Sequence, residues 1–123
     1  MDVKKILVVD DQSMIRKLVN MTLNTTSFEI IEASNGEEAL IKVEKFLPDL
    51  VILDIMMPGE VDGVGICHII KSKQHLEKIP IMFLTAKTQE IDIEEGLFAG
   101  ANDYMLKPFS PDQLKKKVAE LTS

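Results

Sequence analysis

Four apolar runs in this sequence each end at a polar residue with a reactive side chain. ILVV ends at Asp10 and Asp11, LVIL at Asp54, IMFL at Thr85 and YML at Lys107. Apolar runs of this length, separated by segments of helical period, are typical of buried strands in a parallel sheet. In such sheets, ligands bind outside the carboxyl ends of the strands. The sequence therefore predicts that carboxylates, a hydroxyl and an ammonium converge on one edge of the molecule.

The chemistry that suits these residue types is phosphoryl transfer. Two like charges about 4 Å apart repel by roughly 4 kcal/mol at an effective dielectric of 20, so clustered carboxylates need a cation or a proton. Ligands that are all oxygen favour Mg²⁺, with Mn²⁺ as a substitute. Lys107 and Thr85 would hold oxygens of a transferring phosphoryl group, and a carboxylate can itself be the nucleophile.

The composition indicates one globular domain. With 123 residues, 46% of them hydrophobic and 28% charged, the chain can bury a single core, and we expect one domain over residues 1–123. The single cysteine, Cys67, cannot form an internal disulfide, which favours a reducing cytoplasm. No apolar run approaches the roughly 18 residues of a membrane span. We therefore expect a cytoplasmic location and no membrane partner.

The charge pattern argues against nucleic-acid binding. The net charge is −6 and Arg16 is the only arginine. Arginine is the preferred residue for reading base edges and for bidentate phosphate contacts. The one basic run, Lys115–Lys117, is interpreted as a solvated helix end, with a patch for docking a partner as the alternative.

The hydrophobic periodicity predicts five β/α units. We place the strands at Lys5–Val9, Phe28–Ala33, Leu50–Leu53, Ile81–Leu84 and Asp103–Leu106, with a helix after each. The expected fold is α/β, a doubly wound five-stranded parallel sheet with right-handed crossovers. The second strand carries two glutamates and is expected at an edge. In the fourth helix we expect Ile93 and Leu97 to pack inward, with Gly96 and Gly100 on the same side allowing close approach to the sheet.

Taken together, these motifs resemble the receiver domains of bacterial two-component response regulators. KILVVDD, LVILDIMMPG, PIMFLTA and GANDYMLKPF occur in that order and spacing, and the resemblance covers the whole chain. It implies a flavodoxin-like (βα)5 fold with strand order 2-1-3-4-5. It also implies a signalling switch that takes a phosphoryl group from a histidine kinase or a histidine phosphotransfer protein. Such a switch is not an enzyme beyond catalysing its own phosphorylation and slow hydrolysis.

The resemblance assigns a role to each residue that matches the family's motifs. Asp54 would accept the phosphoryl group. Asp10, Asp11 and Asp54 would hold Mg²⁺, joined by the backbone carbonyl of Met56. Lys107 would pair with the phosphate.

Other matching residues would transmit the signal. Thr85 and Tyr104 correspond to the family's switch pair, in which phosphate draws the hydroxyl inward and the ring fills the space it leaves. The output surface would be the face formed by helix four, strand five and helix five. On helix four, Ile91 and Phe98 are seven residues apart and share a face, so we expect them, with Tyr104, to contact a downstream protein. The Lys107–Pro108 bond is usually cis in this family.

One departure from the family pattern lies in the loop after strand three. Glu60 and Val61 separate Pro58-Gly59 from Asp62-Gly63, where receivers commonly have one residue. The extra residue affects the shape of that loop and not the identity of Asp54.

We expect a stand-alone receiver without an output domain, and three other interpretations stay open at this point. The chain is the receiver part of a longer regulator with an output domain, a pseudo-receiver adaptor that takes no phosphate, or a magnesium phosphatase that acts through an aspartyl phosphate. The adaptor is disfavoured because every residue of the acceptor site is present. The phosphatase is disfavoured because Met56 stands where such hydrolases carry a second aspartate.

Overall fold

Strands and helices alternate along the chain in the computed structural model, which describes residues 3–57, 61–86 and 90–123, with the backbone alone for 90–93. The strands are β1 (Lys4–Val9), β2 (Phe28–Ala33), β3 (Leu50–Asp54), β4 (Ile81–Thr85) and β5 (Asp103–Leu106). The helices are α1 (Ser13–Leu23), α2 (Gly36–Phe46), α3 (Gly63–Ser72), α4 (Glu90–Phe98) and α5 (Pro111–Thr122). The five predicted β/α units are confirmed. β3 and β4 run one residue further than predicted, to Asp54 and Thr85.

The five strands form one parallel sheet in the order β2-β1-β3-β4-β5, which confirms the predicted fold class. β2 lies at an edge, as expected from its two glutamates. In the central strands Val9 is opposite Leu53, and Leu53 is opposite Phe83. The carboxyl ends of β1, β3 and β4 therefore finish level with one another, at the edge where the polar residues follow.

Helices cover both faces of the sheet and give the molecule two cores. Alternate residues of each central strand point to opposite faces. On one face Leu7 and Val9 of β1 pack with residues of α2 and α3, and on the other Ile6 and Val8 pack with residues of α1 and α5. Cys67 is buried as a free thiol in the first core. In the part of the chain that is described, none of the helices has the length and apolar character of a membrane span.

Helix α4 differs from the sequence-based prediction at Leu97. Leu97 is 42% exposed, so the expectation that it packs inward is wrong. Gly96 faces the sheet, as predicted, and a Cβ placed on it would lie 2.1 Å from Cε2 of Phe83. Gly100 does not approach the sheet in this way, since a Cβ on it would lie 2.9 Å from Cγ of Lys71 in α3. Because Gly96 has no side chain, the helix settles directly against the Phe83 ring, which turns the next residue toward solvent. The side chain of Ile93 lies outside the described residues.

The start of α3 is anchored against the end of β3. Asp62 caps the helix by accepting a hydrogen bond from the Gly65 amide at 2.9 Å. The Gly63 amide donates to the Ile55 carbonyl at 3.0 Å. A Cβ on Gly63 would lie 2.2 Å from the carbonyl oxygen of Asp54, so only glycine fits there. Residues 58–60 of this loop lie outside the described part of the chain, whereas Val61 is partly buried and packs against the first core.

Candidate functional site

Three carboxylates meet at the carboxyl edge of the sheet, as predicted. Asp10 and Asp11 follow β1 and Asp54 ends β3, and one oxygen from each lies within 4.8 Å of the others. Asp10 is fully buried, Asp54 is 5% exposed and Asp11 is exposed. They meet because β1 and β3 are neighbours in the sheet. Two unit charges at this separation repel by roughly 3 to 4 kcal/mol at an effective dielectric of 20.

Lys107 brings a positive charge to this cluster. Its Nζ donates to Oδ2 of Asp10 at 2.9 Å and lies 3.6 Å from Oδ1 of Asp54. The residue follows β5, and its backbone amide donates to the carbonyl of Thr85 at 2.7 Å, which holds the ends of β4 and β5 together. The Lys107–Pro108 peptide is cis, as expected. One ammonium beside three carboxylates leaves the site with a net negative charge.

The environment of Asp54 changes its acidity. Burial, and then the charge of Asp10, raise the pKa of Asp54 to about 6, while Lys107 acts in the opposite direction. The Met56 amide donates to Oδ1 of Asp54 at 3.2 Å and also favours the ionised form. Asp54 is therefore ionised at neutral pH, yet it is more basic than an ordinary aspartate.

Hydrogen bonds fix Asp10 on every side. Its amide donates to the Ala33 carbonyl of β2 at 3.1 Å, and its Oδ1 accepts from the Gln12 amide at 2.9 Å. Its carbonyl accepts from Nη1 of Arg16 at 2.7 Å. This contact of Arg16 was not predicted from the sequence, where the arginine was interpreted only in relation to nucleic-acid binding. The signal available was position, since an arginine six residues after Asp10 lies one to two turns into the following helix.

Thr85 and Tyr104, the expected switch pair, lie on neighbouring strands. Thr85 is fully buried at the end of β4, and its hydroxyl donates to the Ala86 carbonyl at 3.2 Å. Thr85 is opposite Leu106 in the sheet, two residues after Tyr104. Tyr104 is 39% exposed. Thr85 thus ends β4 at the carboxyl edge of the sheet, and Tyr104 lies further back along β5 with its ring half exposed.

The expected output residues are not all brought together. Phe98 is 96% exposed at the end of α4 and lines a cavity of about 530 Å³ between α3 and α4, with His68. Tyr104 lines a separate cavity of about 660 Å³ beside α5, with Lys107. Ile91 lies in α4, but its side chain is outside the described residues.

The donor atoms suit a hard divalent cation. They are carboxylate oxygens within 4.8 Å of one another, and the exposed Asp11 leaves the cluster open to solvent on one side. Mg²⁺ prefers such ligands and keeps several waters when it binds. Met56 is adjacent to the cluster through its bond to Asp54 and is 56% exposed.

Comparison with known proteins now gives the family. A family model described as the response regulator receiver domain matches residues 6–119. The chain belongs to this family. Receiver domains are signalling domains of two-component systems; they accept phosphoryl groups from histidine kinases and bind Mg²⁺ at an acidic pocket.

The receiver domain is similar to parts of longer regulators. It is 45% identical over 115 residues to the alkaline phosphatase synthesis transcriptional regulatory protein PhoP of Bacillus subtilis, covering 94% of this chain and 47% of that protein. It is 44% identical over 117 residues to the transcriptional regulatory protein ResD of the same organism, covering 95% and 47%. The chain thus spans about half the length of the curated relatives it matches.

Solved structures show the same fold. The chemotaxis protein CheY4 of Vibrio cholerae matches with a TM-score of 0.90 and 32% identity, over 98% of this chain and 99% of that one. The receiver domain of NtrX from Brucella abortus matches with a TM-score of 0.88 and 30% identity, over 95% and 97%. The predicted family and the predicted fold are both confirmed.

Proposed function

We propose that this receiver domain is a phosphorylation-dependent switch that takes a phosphoryl group on Asp54 from a histidine kinase or a phosphorelay protein. The observation that carries the proposal is the arrangement around one carboxylate. Asp54 lies within 4.8 Å of carboxylate oxygens of Asp10 and Asp11, and 3.6 Å from the ammonium of Lys107. The site therefore offers a nucleophile, ligands for a divalent cation and a fixed positive charge at one point.

Among the three aspartates, Asp54 is the one suited to be the acceptor. Both oxygens of Asp10 are occupied, one by the Gln12 amide and one by Lys107, and Asp10 has no exposed surface. Asp11 is exposed, so water competes for its charge. Asp54 is nearly buried and has a raised pKa of about 6, which makes its carboxylate the more basic nucleophile.

The transfer step forms one bond and breaks another. An oxygen of Asp54 attacks the phosphorus of the donor's phosphohistidine, a P–O bond forms, the P–N bond breaks, and the imidazole nitrogen leaves with the electron pair. The ammonium of Lys107 is close enough to Asp54 to pair with the phosphoryl oxygens as negative charge accumulates there. A magnesium ion held by Asp10, Asp11, Asp54 and the Met56 carbonyl would neutralise phosphoryl charge when bound.

The signal is proposed to leave the site through Thr85 and Tyr104. Leu84 of β4 is opposite Asp54 of β3 in the sheet. Thr85 is the next residue of β4, so it lies one residue beyond the position opposite the proposed acceptor. Tyr104 is half exposed, so its ring would bury more apolar surface if it moved inward with the Thr85 hydroxyl. The proposed output surface is the face of α4, β5 and α5, with Ile91, Phe98 and Tyr104 as contacts for a downstream protein.

We infer that the receiver domain itself does not bind nucleic acid, although related regulators bear transcriptional names. Its one arginine, Arg16, is engaged with the Asp10 carbonyl and with Glu32. DNA contacts in a longer protein would belong to residues outside this domain.

Incubation with acetyl phosphate and Mg²⁺ tests the proposed function. Wild type is expected to gain one phosphoryl group, and Asp54→Ala is expected to gain none. A wild-type chain that folds and stays unlabelled is the result that the pseudo-receiver interpretation requires.

A further inference from the structure

Arg16 joins three elements at the base of the acid cluster. It is carried by α1, its Nη1 donates to the Asp10 carbonyl at 2.7 Å, and its Nε donates to Oε1 of Glu32 on β2 at 3.1 Å. Its side chain is only 18% exposed. One planar group therefore spans the ends of two strands, and each contact uses a different nitrogen of the guanidinium fork.

The partner of Arg16 is itself held in place. Oε2 of Glu32 accepts from Nδ2 of Asn20 at 3.1 Å, and the Glu32 carbonyl accepts from Nζ of Lys42 at 2.5 Å. Lys42 also pairs with Glu38 at 2.9 Å, within α2. A continuous set of hydrogen bonds thus runs from α2 across the end of β2 to Asp10. Because both Glu32 and Arg16 carry a charge, the pair adds no net charge to the site.

The contact with the Asp10 carbonyl bears directly on two of the proposed metal ligands. That carbonyl belongs to the peptide plane between Asp10 and Asp11. A rotation of the plane changes the direction of the Asp11 side chain, because the planar peptide fixes the next Cα. The amide of Asp10 is held by Ala33, so the carbonyl bond to Arg16 removes the remaining freedom of this strand end.

We propose that Arg16 is a positioning residue for the divalent-cation site, which holds the Asp10–Asp11 peptide plane so that both carboxylates face Asp54. This inference rests on the proposed function of the acid cluster. Partners that orient metal ligands are worth about 10- to 100-fold in metal affinity when they are removed from characterised sites.

The sign of the effect separates positioning from simple electrostatics. If the positive charge of Arg16 acted only through space, its removal would strengthen cation binding, because like charges repel. If Arg16 holds the ligands in place, its removal weakens cation binding. Arg16→Met removes the charge and both hydrogen bonds while keeping much of the apolar stem. Arg16→Lys keeps the charge but replaces the two-armed fork by one nitrogen.

The experiment measures the dissociation constant of Mg²⁺ by calorimetry, without any phosphodonor, in wild type and in both Arg16 variants. Asn20→Ala is the matched control, because it removes the second hydrogen bond to Glu32 and does not touch Asp10. We expect Arg16→Met to bind Mg²⁺ about ten-fold more weakly, Arg16→Lys to lose less, and the control to bind as wild type does. Phosphorylation of Arg16→Lys should return to the wild-type rate when Mg²⁺ is saturating.

Each outcome supports or contradicts the positioning role of Arg16. Arg16→Met that binds Mg²⁺ as tightly as wild type, or more tightly, overturns the positioning role while leaving the proposed function intact. A wild-type chain that binds no Mg²⁺ overturns both. If Arg16→Met does not fold, Arg16→Lys decides, since wild-type affinity in that variant contradicts the need for the fork.

Discussion

Lys107 donates a 2.9 Å hydrogen bond to Asp10, a carboxylate with no exposed surface, although the proposed acceptor Asp54 lies 3.6 Å away. In the absence of a metal, the Lys107 ammonium therefore pairs more closely with the buried carboxylate of Asp10, at the end of β1, than with Asp54. Its distance from Asp54 leaves it close enough to meet a phosphoryl group there. The same side chain would thus serve the resting site and the proposed phosphorylated one.

Removing this ammonium should destabilise the protein mainly when no metal is present. A buried carboxylate that loses its partner costs about 2 kcal/mol or more, so Lys107→Met in EDTA should show that loss in denaturant unfolding. Millimolar Mg²⁺ should recover part of it, because the cation supplies the missing charge. Lys117→Met is the control, because Lys117 pairs with Asp103 in a partly exposed position and is worth less than about 1 kcal/mol. Equal stability of Lys107→Met and wild type in EDTA would contradict the pairing.

Carboxylate repulsion should make the metal-free protein less stable than it could be. Asp11→Asn removes one exposed charge from the cluster. We expect this variant to unfold at a higher temperature than wild type in EDTA, and to gain less from Mg²⁺. Glu29→Gln, a change of the same charge on the exposed edge strand β2, should leave the response to Mg²⁺ as it is in wild type. A wild-type unfolding midpoint that is indifferent to Mg²⁺ would rule out the metal site.

The raised pKa of Asp54 predicts a specific dependence of stability on pH. Between about pH 4 and pH 6 the folded protein holds a proton on Asp54 that the unfolded chain releases, so this group lowers stability as pH rises through that window. At neutral pH the raised pKa of Asp54, about 6, lowers the free energy of unfolding by about 3 kcal/mol.

Asp54→Asn tests that dependence because asparagine does not titrate. In EDTA, the variant should match wild type near pH 4 and become progressively more stable than wild type up to pH 7. Other groups with shifted pKa values, such as Glu38, are common to both proteins and cancel in the difference. A difference in unfolding free energy that stays constant across this range would show that the carboxyl of Asp54 titrates normally.

We expect the aspartyl phosphate to be long-lived because the side chain of Met56 does not help a water to attack it. Hydrolysis needs a water in line with the phosphorus, opposite the Asp54 oxygen. Met56 is two residues after Asp54 and is 56% exposed, and its thioether offers that water no useful hydrogen bond. Met56→Asn should therefore lose its phosphoryl group about ten-fold faster, which corresponds to roughly 1.4 kcal/mol in the barrier. Met21→Asn, on the exposed face of α1, is the control, and an unchanged decay in Met56→Asn would exclude this explanation.

Much of the fold and of the site was predictable from the sequence, for a physical reason. Buried parallel strands are continuous apolar runs, and their carboxyl ends meet at one edge, so the convergence of Asp10, Asp54 and Lys107 follows from topology. The exposure of Leu97 did not follow, because helical periodicity does not show that the contact of Gly96 with Phe83 leaves the neighbouring Leu97 on the solvent side.

The contacts that distinguish individual side chains were not predictable either. The preference of Lys107 for Asp10 over Asp54 is a difference between 2.9 and 3.6 Å, which depends on the packing of three strand ends. The contact of Arg16 with Asp10 depends on the angle at which α1 leaves β1. The two cavities lined by Phe98 and by Tyr104 depend on how α3, α4 and α5 pack, and no spacing in the sequence predicts this packing.

The most direct test of the central claim locates the phosphoryl group on its residue. Wild type is incubated with acetyl phosphate and Mg²⁺, and borohydride then reduces the aspartyl phosphate to homoserine, which peptide mass spectrometry can place in the chain. Homoserine is expected at position 54 in wild type, dependent on Mg²⁺, and none is expected in Asp54→Asn. Homoserine at position 10 or 11 of wild type, or undiminished labelling of Asp54→Asn, would contradict it.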